Sequence, residues 1–421
     1  MIEPNGERPY CHAHVDPLAG LRTPQDPPWD VYLTGTVFLD IIFTGLDTAP
    51  VRGTESWARG MGSSPGGVAN MATALARLGL KTSLAAAFGD DHYGEYCWDA
   101  LEQGEGIDLA PSRTVPDWHS PVTVSMAYEG ERTMVSHGHE PPPEEPAPEH
   151  APRGRGARAP PPPRPRPPPG SPSPPAGCLC LSFYISVATT LGFSFIIPPP
   201  PPPRRRRAAA RAPPPPPPPH WIAESARAGT RIFADVGWDD TGRWDLAGLA
   251  DLEHCEAFLP NADEAMRYTG ADCPRAAAHA LTEYVPLAVV TLGAEGAYAV
   301  DGRTGETAEV PAIAVEALDP TGAGDVFVAG FVMGTLADWP LADRLAFAGL
   351  TAALSVQEFG GSLSAPGWAE IAAWWRRVQS VDDQEPAALR RYAFLESLLP
   401  EVTRPWPLRR AVPTIGFRRS A

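Results

Sequence analysis

The sequence predicts a three-layer α/β fold with a largely parallel sheet. Short apolar runs of strand length alternate with longer runs whose apolar residues recur at helical spacing. Glycines and other turn formers sit at the junctions, and 43% of the 421 residues are hydrophobic, enough to cover both faces of a sheet.

Residues 1–29 are polar and proline-rich and read as a flexible tail. Residues 31–43 are strongly apolar but interrupted by Gly35 and Asp40, which predicts a strand, a turn and a second strand. Residues 60–67 read as a glycine–serine loop. In 68–78, Ala69, Ala72, Leu75, Ala76 and Leu78 recur near 3.6 residues, and Gly79 closes the helix they form. A short buried strand over 82–88 ends in the turn Gly89-Asp90-Asp91, and 93–103 is a helix. Residues 122–127 and 132–136 flank Glu129-Gly130 as a hairpin.

Beyond residue 220 the alternation resumes. Residues 221–229 read as the last turns of a helix, 232–236 and 257–259 as strands, and 262–268 as a helix opening at Pro260-Asn261. Leu287–Thr291 is a strand, Gly293 and Gly296 form a turn, and 297–300 is the next strand. Two long helices follow, near 324–336 and 341–358. The tail from residue 381 carries one short amphipathic helix and an arginine-rich end.

Residues 141–219 break the pattern. They hold 30 of the 53 prolines and ten arginines against three acidic residues. Such a stretch is expected to be extended and without a core. Within it, 178–197 is a mostly apolar, uncharged run of membrane-spanning length. A linker displaying proline-rich docking sites is one reading of the block. A slipped reading frame in GC-rich coding DNA is another, and it would remove a strand and crossover helix from the sheet. The chain thus divides into a tail (1–29), a first part of the main domain (30–140), the interrupting block (141–219), a second part (220–380) and a C-terminal tail (381–421).

The net charge of −16 argues against nucleic acid as a partner. The N-terminus has no basic, apolar leader, so a cytoplasmic location is expected and membrane association is not. Six scattered cysteines without a CxxC pair indicate neither a zinc site nor a disulfide framework, and buried thiols are expected. Lys81 is the single lysine and does not follow a glycine, so no Walker A loop is present. A phosphate would need a different cradle.

Asp319-Pro320-Thr321-Gly322-Ala323-Gly324-Asp325, followed at once by an apolar run, supplies one. Helix N-termini present outward N–H groups and partial positive charge, so this turn can cradle an anion. Asp325 beside such an anion is suited to taking a proton from an attacking hydroxyl. A plain helix start with Asp in its first turn explains the same residues. Gly66-Gly67-Val68-Ala69-Asn70 opens a helix with room for close backbone approach to a ligand. Asp40 ends an apolar strand, where a carboxylate is costly unless it binds something. Asn261 and Glu264 stand at a strand end entering a helix and also match a capping box.

In this order these residues resemble the ribokinase-like, or PfkB, family of carbohydrate kinases, over about 31–140 and 221–370. The resemblance implies a three-layer αβα, Rossmann-like sheet with a small β lid, the hairpin near 122–136 forming part of the lid. It implies ATP- and Mg²⁺-dependent phosphorylation of a hydroxyl of a small sugar. Asp325 would be the base, and the amides of Gly322, Ala323 and Gly324 the anion hole. Asp40, Gly66, Gly67 and Asn70 would hold the sugar. Asn261, Thr291, Gly293 and Gly296 would line the nucleotide site, and Glu264, with Asn261 through water, would place the metal. Asp319 and Thr321 with Gly361 and Ser364 resemble a monovalent-cation (K⁺) loop. Family members also form homodimers through the lid. The glycine loop has one residue between Gly67 and Ala69 where ribokinase has two, one a lysine, so ribose is not favoured over other sugars. A nucleoside kinase of the same fold and a non-catalytic sugar- or nucleotide-binding remnant are the alternatives.

Overall fold

The computed structural model describes residues 28–128, 131–142, 178–181, 221–227, 229–237, 242–380, 386–399 and 410–417, with 16, 18, 20–22 and 239. Its main sheet has eight strands. From one edge these are β14 (Thr307–Val310), β13 (Ala297–Asp301), β12 (Leu287–Thr291), β11 (Ala257–Phe258), β10 (Arg231–Ala234), β9 (Cys178–Leu181), β1 (Val31–Thr34) and β4 (Thr82–Ala85). The run from β12 to β4 is parallel throughout, and β13 and β14 close one edge antiparallel.

Strand alternation divides the core into two layers. Phe233, Ala257, Leu287 and Val289 face helices Val68–Arg77, Ala323–Leu336, Leu341–Ser355 and Trp368–Ser380. Ile232, Ala234, Phe258, Ala288 and Val290 face helices Trp221–Arg227, Ala262–Thr269 and Pro274–Leu281. A parallel sheet buried on both faces needs apolar residues at successive positions, and β12 has them. Helix Ala323–Leu336 is buried from Val326 to Thr335, a full ten-residue run, because neighbours surround it. It is therefore apolar on all sides rather than amphipathic.

A second sheet of five strands forms the lid, in the order β15 (Thr414–Phe417), β3 (Gly60–Gly67), β2 (Val37–Thr44), β7 (Val122–Tyr128) and β8 (Glu131–His137). The β7–β8 hairpin is antiparallel as expected, and β2 lies parallel to β7. Strands β5 (Ala87–Gly89) and β6 (Arg113–Val115) pair separately.

Several expectations are corrected. Residues 60–67 form a strand, not a loop, because β2 pairs with them along their whole length and β15 covers part of the other edge. The expected strand over 82–88 is two strands, β4 and β5, which belong to different sheets. The C-terminal tail contributes β15, whose four residues carry no periodic signal of their own. Strand β9 comes from inside the proline-rich block and pairs parallel with both β1 and β10, so the sheet has no gap at its centre. The rest of the apolar 178–197 run lies outside the described residues. Among the described residues no helix is long and apolar enough to cross a membrane. Cys97 and Cys255 are buried as expected, whereas Cys273 is exposed at the start of its helix.

A buried ion pair ties helix Val68–Arg77 to residue 105 and to the 361–365 turn. Arg77 and Glu105 are 5% and 3% exposed, with Arg77 Nη2 2.7 Å from Glu105 Oε1 and Nε 3.0 Å from Oε2. Arg77 Nη1 also donates to the carbonyls of Leu363 and Ala365 at 2.8 and 2.7 Å. Arg77→Ala leaves Glu105 charged and unpaired, and is expected to cost about 3–5 kcal/mol in denaturant unfolding. Arg77→Ala together with Glu105→Ala should cost less than the two single changes added.

Candidate active site

Carboxyl ends of parallel strands are where open α/β sheets bind ligands, and the predicted residues collect there. Asp235 follows β10, Asn261 follows β11, and Thr291 ends β12 and bridges to Asn261. The 319–325 turn enters the same region at the head of helix Ala323–Leu336.

Gly322 caps that helix with φ 76°, ψ 4°, a left-handed conformation that glycine adopts without cost. Gly324 and Asp325 lie in its first, open turn. The Ala323 amide donates to Pro320 O at 3.2 Å, so it serves the turn itself. An anion there meets the open-turn amides of Gly322 and Gly324 first. Asn70, in the first turn of helix Val68–Arg77, donates from Nδ2 to Asp325 Oδ2 at 3.0 Å. This bond fixes how the carboxylate is turned. Asn70 also lies against Gly322, so the two predicted clusters meet.

Asp40 sits on β2, buried, with its carboxylate laid over Gly66. A methyl group at Gly66 would overlap all three atoms of that carboxylate group. Gly67 carries φ 63° and packs on Thr36 O and Phe38. Ser64, opposite Asp40 in the β2–β3 register, is fully buried. Its Oγ, Asn70 Oδ1 and Thr321 Oγ1 are buried without a hydrogen-bond partner among the described residues. Buried polar atoms are nearly always paired, and these three lie on β3, at the head of helix Val68–Arg77 and in the 319–325 turn.

Asn261 and Glu264 form a reciprocal capping box: Glu264 N donates to Asn261 Oδ1 at 3.0 Å, and Asn261 N to Glu264 Oε2 at 2.9 Å. Helix capping is thus their demonstrated contact, with Glu264 Oε1 outside the box. Burial pushes the Glu264 carboxyl up to about 7, against the two Asn261 hydrogen bonds. Asp235, partly accessible, is held well above the usual carboxylate range by desolvation and then by the charges of Glu264 and Asp325. It was missed from sequence because it stands in no glycine-rich or capping pattern. Its apolar strand followed by an acid is the signal that also picked out Asp40.

Asp319 is buried and spends both oxygens on backbone: Oδ1 accepts from Thr321 N at 3.0 Å and Oδ2 from Gly360 N at 3.3 Å. It ties the 319–325 turn to the loop carrying Gly361 and Ser364. Gly293 and Gly296 make the β12–β13 connection with φ 59° and 115°. Thr291, two residues before Gly293, bridges to Asn261.

Residues 36–147 and 221–368 match the model of the pfkB family carbohydrate kinases. The chain belongs to this family. A ribokinase of Schizosaccharomyces pombe is 36% identical over 129 residues, 28% of this chain and 40% of that protein. The chain spans less than half the length of the curated ribokinases it matches. The Arabidopsis thaliana ribokinase complexed with ribose and ATP superposes with a TM-score of 0.57 at 20% identity, over 82% of this chain and 98% of that one. The Methanocaldococcus jannaschii nucleoside kinase gives 0.56 at 16%, over 83% and 99%. At these identities the likeness is one of fold, and the fold of this pfkB-family chain is that of the ribokinases.

The raised Glu264 carboxyl has a consequence for stability. Between its ordinary value of 4.5 and about 7 the native chain holds a proton that the unfolded chain has released. Stability of the ligand-free protein therefore falls as pH rises through this window. Glu264→Gln is expected to flatten that decline by about 3 kcal/mol, read as the shift of the denaturant midpoint between pH 4.5 and 7. Asp235, raised in the same direction, leaves a residual slope.

Proposed function

We propose that the chain is an ATP- and Mg²⁺-dependent kinase that phosphorylates a hydroxyl of a small sugar. The observation that carries this is the Asn70–Asp325 hydrogen bond at the head of a helix that opens on left-handed Gly322. One side of this junction is a carboxylate of fixed orientation, suited to receiving the proton of an attacking hydroxyl. The other side is a helix N-terminus suited to the anionic group being transferred.

Asp40 would accept from a pair of sugar hydroxyls, with Gly66 giving it room, while Gly67 and Asn70 would line the same side. The unpartnered Ser64 and Thr321 hydroxyls support a polyhydroxylated ligand. Thr291, Gly293 and Gly296 would border the nucleotide beyond Asn261. The lid sheet, which carries Asp40, would exclude water when closed over the sugar.

The acidic set fits Mg²⁺. Among the described residues no three His, Cys, Asp or Glu side chains are spaced to hold a metal by themselves. Mg²⁺ does not require this, since it keeps several waters and takes one or two carboxylates together with phosphates. Glu264 and Asp235, both raised chiefly by burial, would hold it, with Asn261 through water. When bound, the ion supplies charge neutralisation to the phosphates. A K⁺ ion beside the 319–325 turn, cytoplasmic location and a homodimer meeting through the lid belong to the same proposal. The exposed Met134 and Val135 on edge strand β8 suit the last of these.

Asp325→Asn keeps the size of the side chain and removes the base. It is expected to lower turnover by about 10²–10⁴-fold while ATP binding, followed by calorimetry, stays near wild type. Retained turnover would sink the assignment. Gly66→Ala should raise the sugar KM and leave the ATP KM unchanged. A panel of fructose, ribose, 2-keto-3-deoxygluconate and adenosine separates a sugar kinase from a nucleoside kinase. Ligand-induced stabilisation without turnover of any acceptor would instead identify a binding remnant.

A further inference from the structure

The segment 410–417 is held by more specific contacts than its length requires. Strand β15 runs antiparallel along the free edge of β3, with Thr414 opposite Ser63 and Phe417 opposite Gly60. The Ser63 and Thr414 hydroxyls are hydrogen-bonded, and Tyr96 OH donates to Ser63 O at 3.0 Å from below. Upstream, Arg410 Nη1 pairs with Glu370 Oε1 at 2.7 Å, and its Nη2 donates to Ala365 O. The buried Arg77–Glu105 pair takes up both backbone groups of Ala411. Ala411 N donates to Glu105 Oε1 at 3.1 Å, and Arg77 Nη2 to Ala411 O at 3.3 Å.

The surface beneath is shaped to receive backbone. Gly104 lies against Ala411, Gly360 against Pro413, and Gly62 against Phe359 and the carbonyl of Thr414, so a methyl group at any of the three would meet a neighbour. The outer face is open: Val412 and Ile415 are 62% and 44% exposed. A strand bound by its backbone along one edge and bare on the other side is the geometry of β-augmentation, in which main-chain bonds give affinity and small pockets give selectivity. The groove also borders the site. Gly360 donates to Asp319, which holds the 319–325 turn, and β3 runs on to Gly66 beneath Asp40.

We infer that the edge of β3 and the Gly360–Ala365 loop form a peptide-docking groove, occupied by the chain's own Arg410–Phe417, and that its occupancy sets the lid over the sugar. The activity arm of the test rests on the kinase assignment, and the docking arm does not. In the full chain, Ile415→Pro and Gly416→Pro are made separately, since alternate residues of a strand bond to its neighbour and one of the two must break the ladder. In at least one variant, hydrogen exchange at residues 60–63 should rise. The sugar KM should rise about five- to tenfold, the scale of one or two net hydrogen bonds, with the ATP KM unchanged. Added peptide of sequence 410–417 should reverse both. Ser63→Cys with Thr414→Cys serves if the proline variants fold poorly: its oxidised form should slow exchange at 60–63 and keep the wild-type sugar KM. Unchanged exchange in both proline variants, or no reversal by peptide, overturns the docking groove. Altered exchange with an unchanged sugar KM overturns its control of the lid. Absence of turnover in the wild type itself overturns the kinase assignment and leaves the exchange and peptide results to decide the groove.

Discussion

The hydrogen bond from Asn70 to Asp325 joins two helix N-termini that lie 255 residues apart in the chain. Each helix can present its head to the site only because glycine precedes it: Gly67 at φ 63° and Gly322 at φ 76°. The rest follows from holding these heads together. Helix Val68–Arg77 carries Arg77 down to the Glu105 pair, and helix Ala323–Leu336 is buried along most of its length between the sheet and its neighbours. The lid sheet is fastened to the same junction, since β3 leads directly into the first of the two helices.

The site is also an electrostatic compromise. Desolvation is the largest cause of the raised Asp235 and Glu264 carboxyls, and at Asp235 the charges of Glu264 and Asp325 add to it. Burying like charges without a cation is unfavourable, and natural folds keep such arrangements where a ligand relieves them. At Glu264 the hydrogen bonds with Asn261 work against the effect of burial. Two hydrogen bonds hold Glu264 in place while its carboxyl carries or sheds a proton.

Where the chain states its structure locally, the sequence was legible. Asp319 to Asp325 combines a left-handed glycine, a helix start and an apolar run. Val68–Arg77 combines a glycine pair with helical periodicity, and Asn261 to Glu264 spells a capping box. What escaped depends on partners distant in sequence. Gly60–Gly67 has a loop's composition and becomes a strand because β2 and β15 pair with it, its glycines admitting Phe359 and Asp40. Thr414–Phe417 is a strand only by virtue of β3. Asp235 acquires its character from burial first and then from Glu264 and Asp325, neither of which is near it in the chain.

Strand β9 has a consequence for how the sheet is made. Its four residues lie between β1 and β10, at the middle of the parallel run, yet Pro142 and Trp221 are the nearest described residues on either side in the chain. Loop-closure entropy grows only with the logarithm of length, by about 0.6 kcal/mol per doubling, so long connections barely weaken a finished sheet. They do raise the mean sequence separation of its contacts, which slows two-state folding. Without β9, the facing edges of β1 and β10 would lack a partner. The burden of the proline-rich block therefore falls on the time the chain spends open, when it is prone to association, more than on the stability of the closed fold.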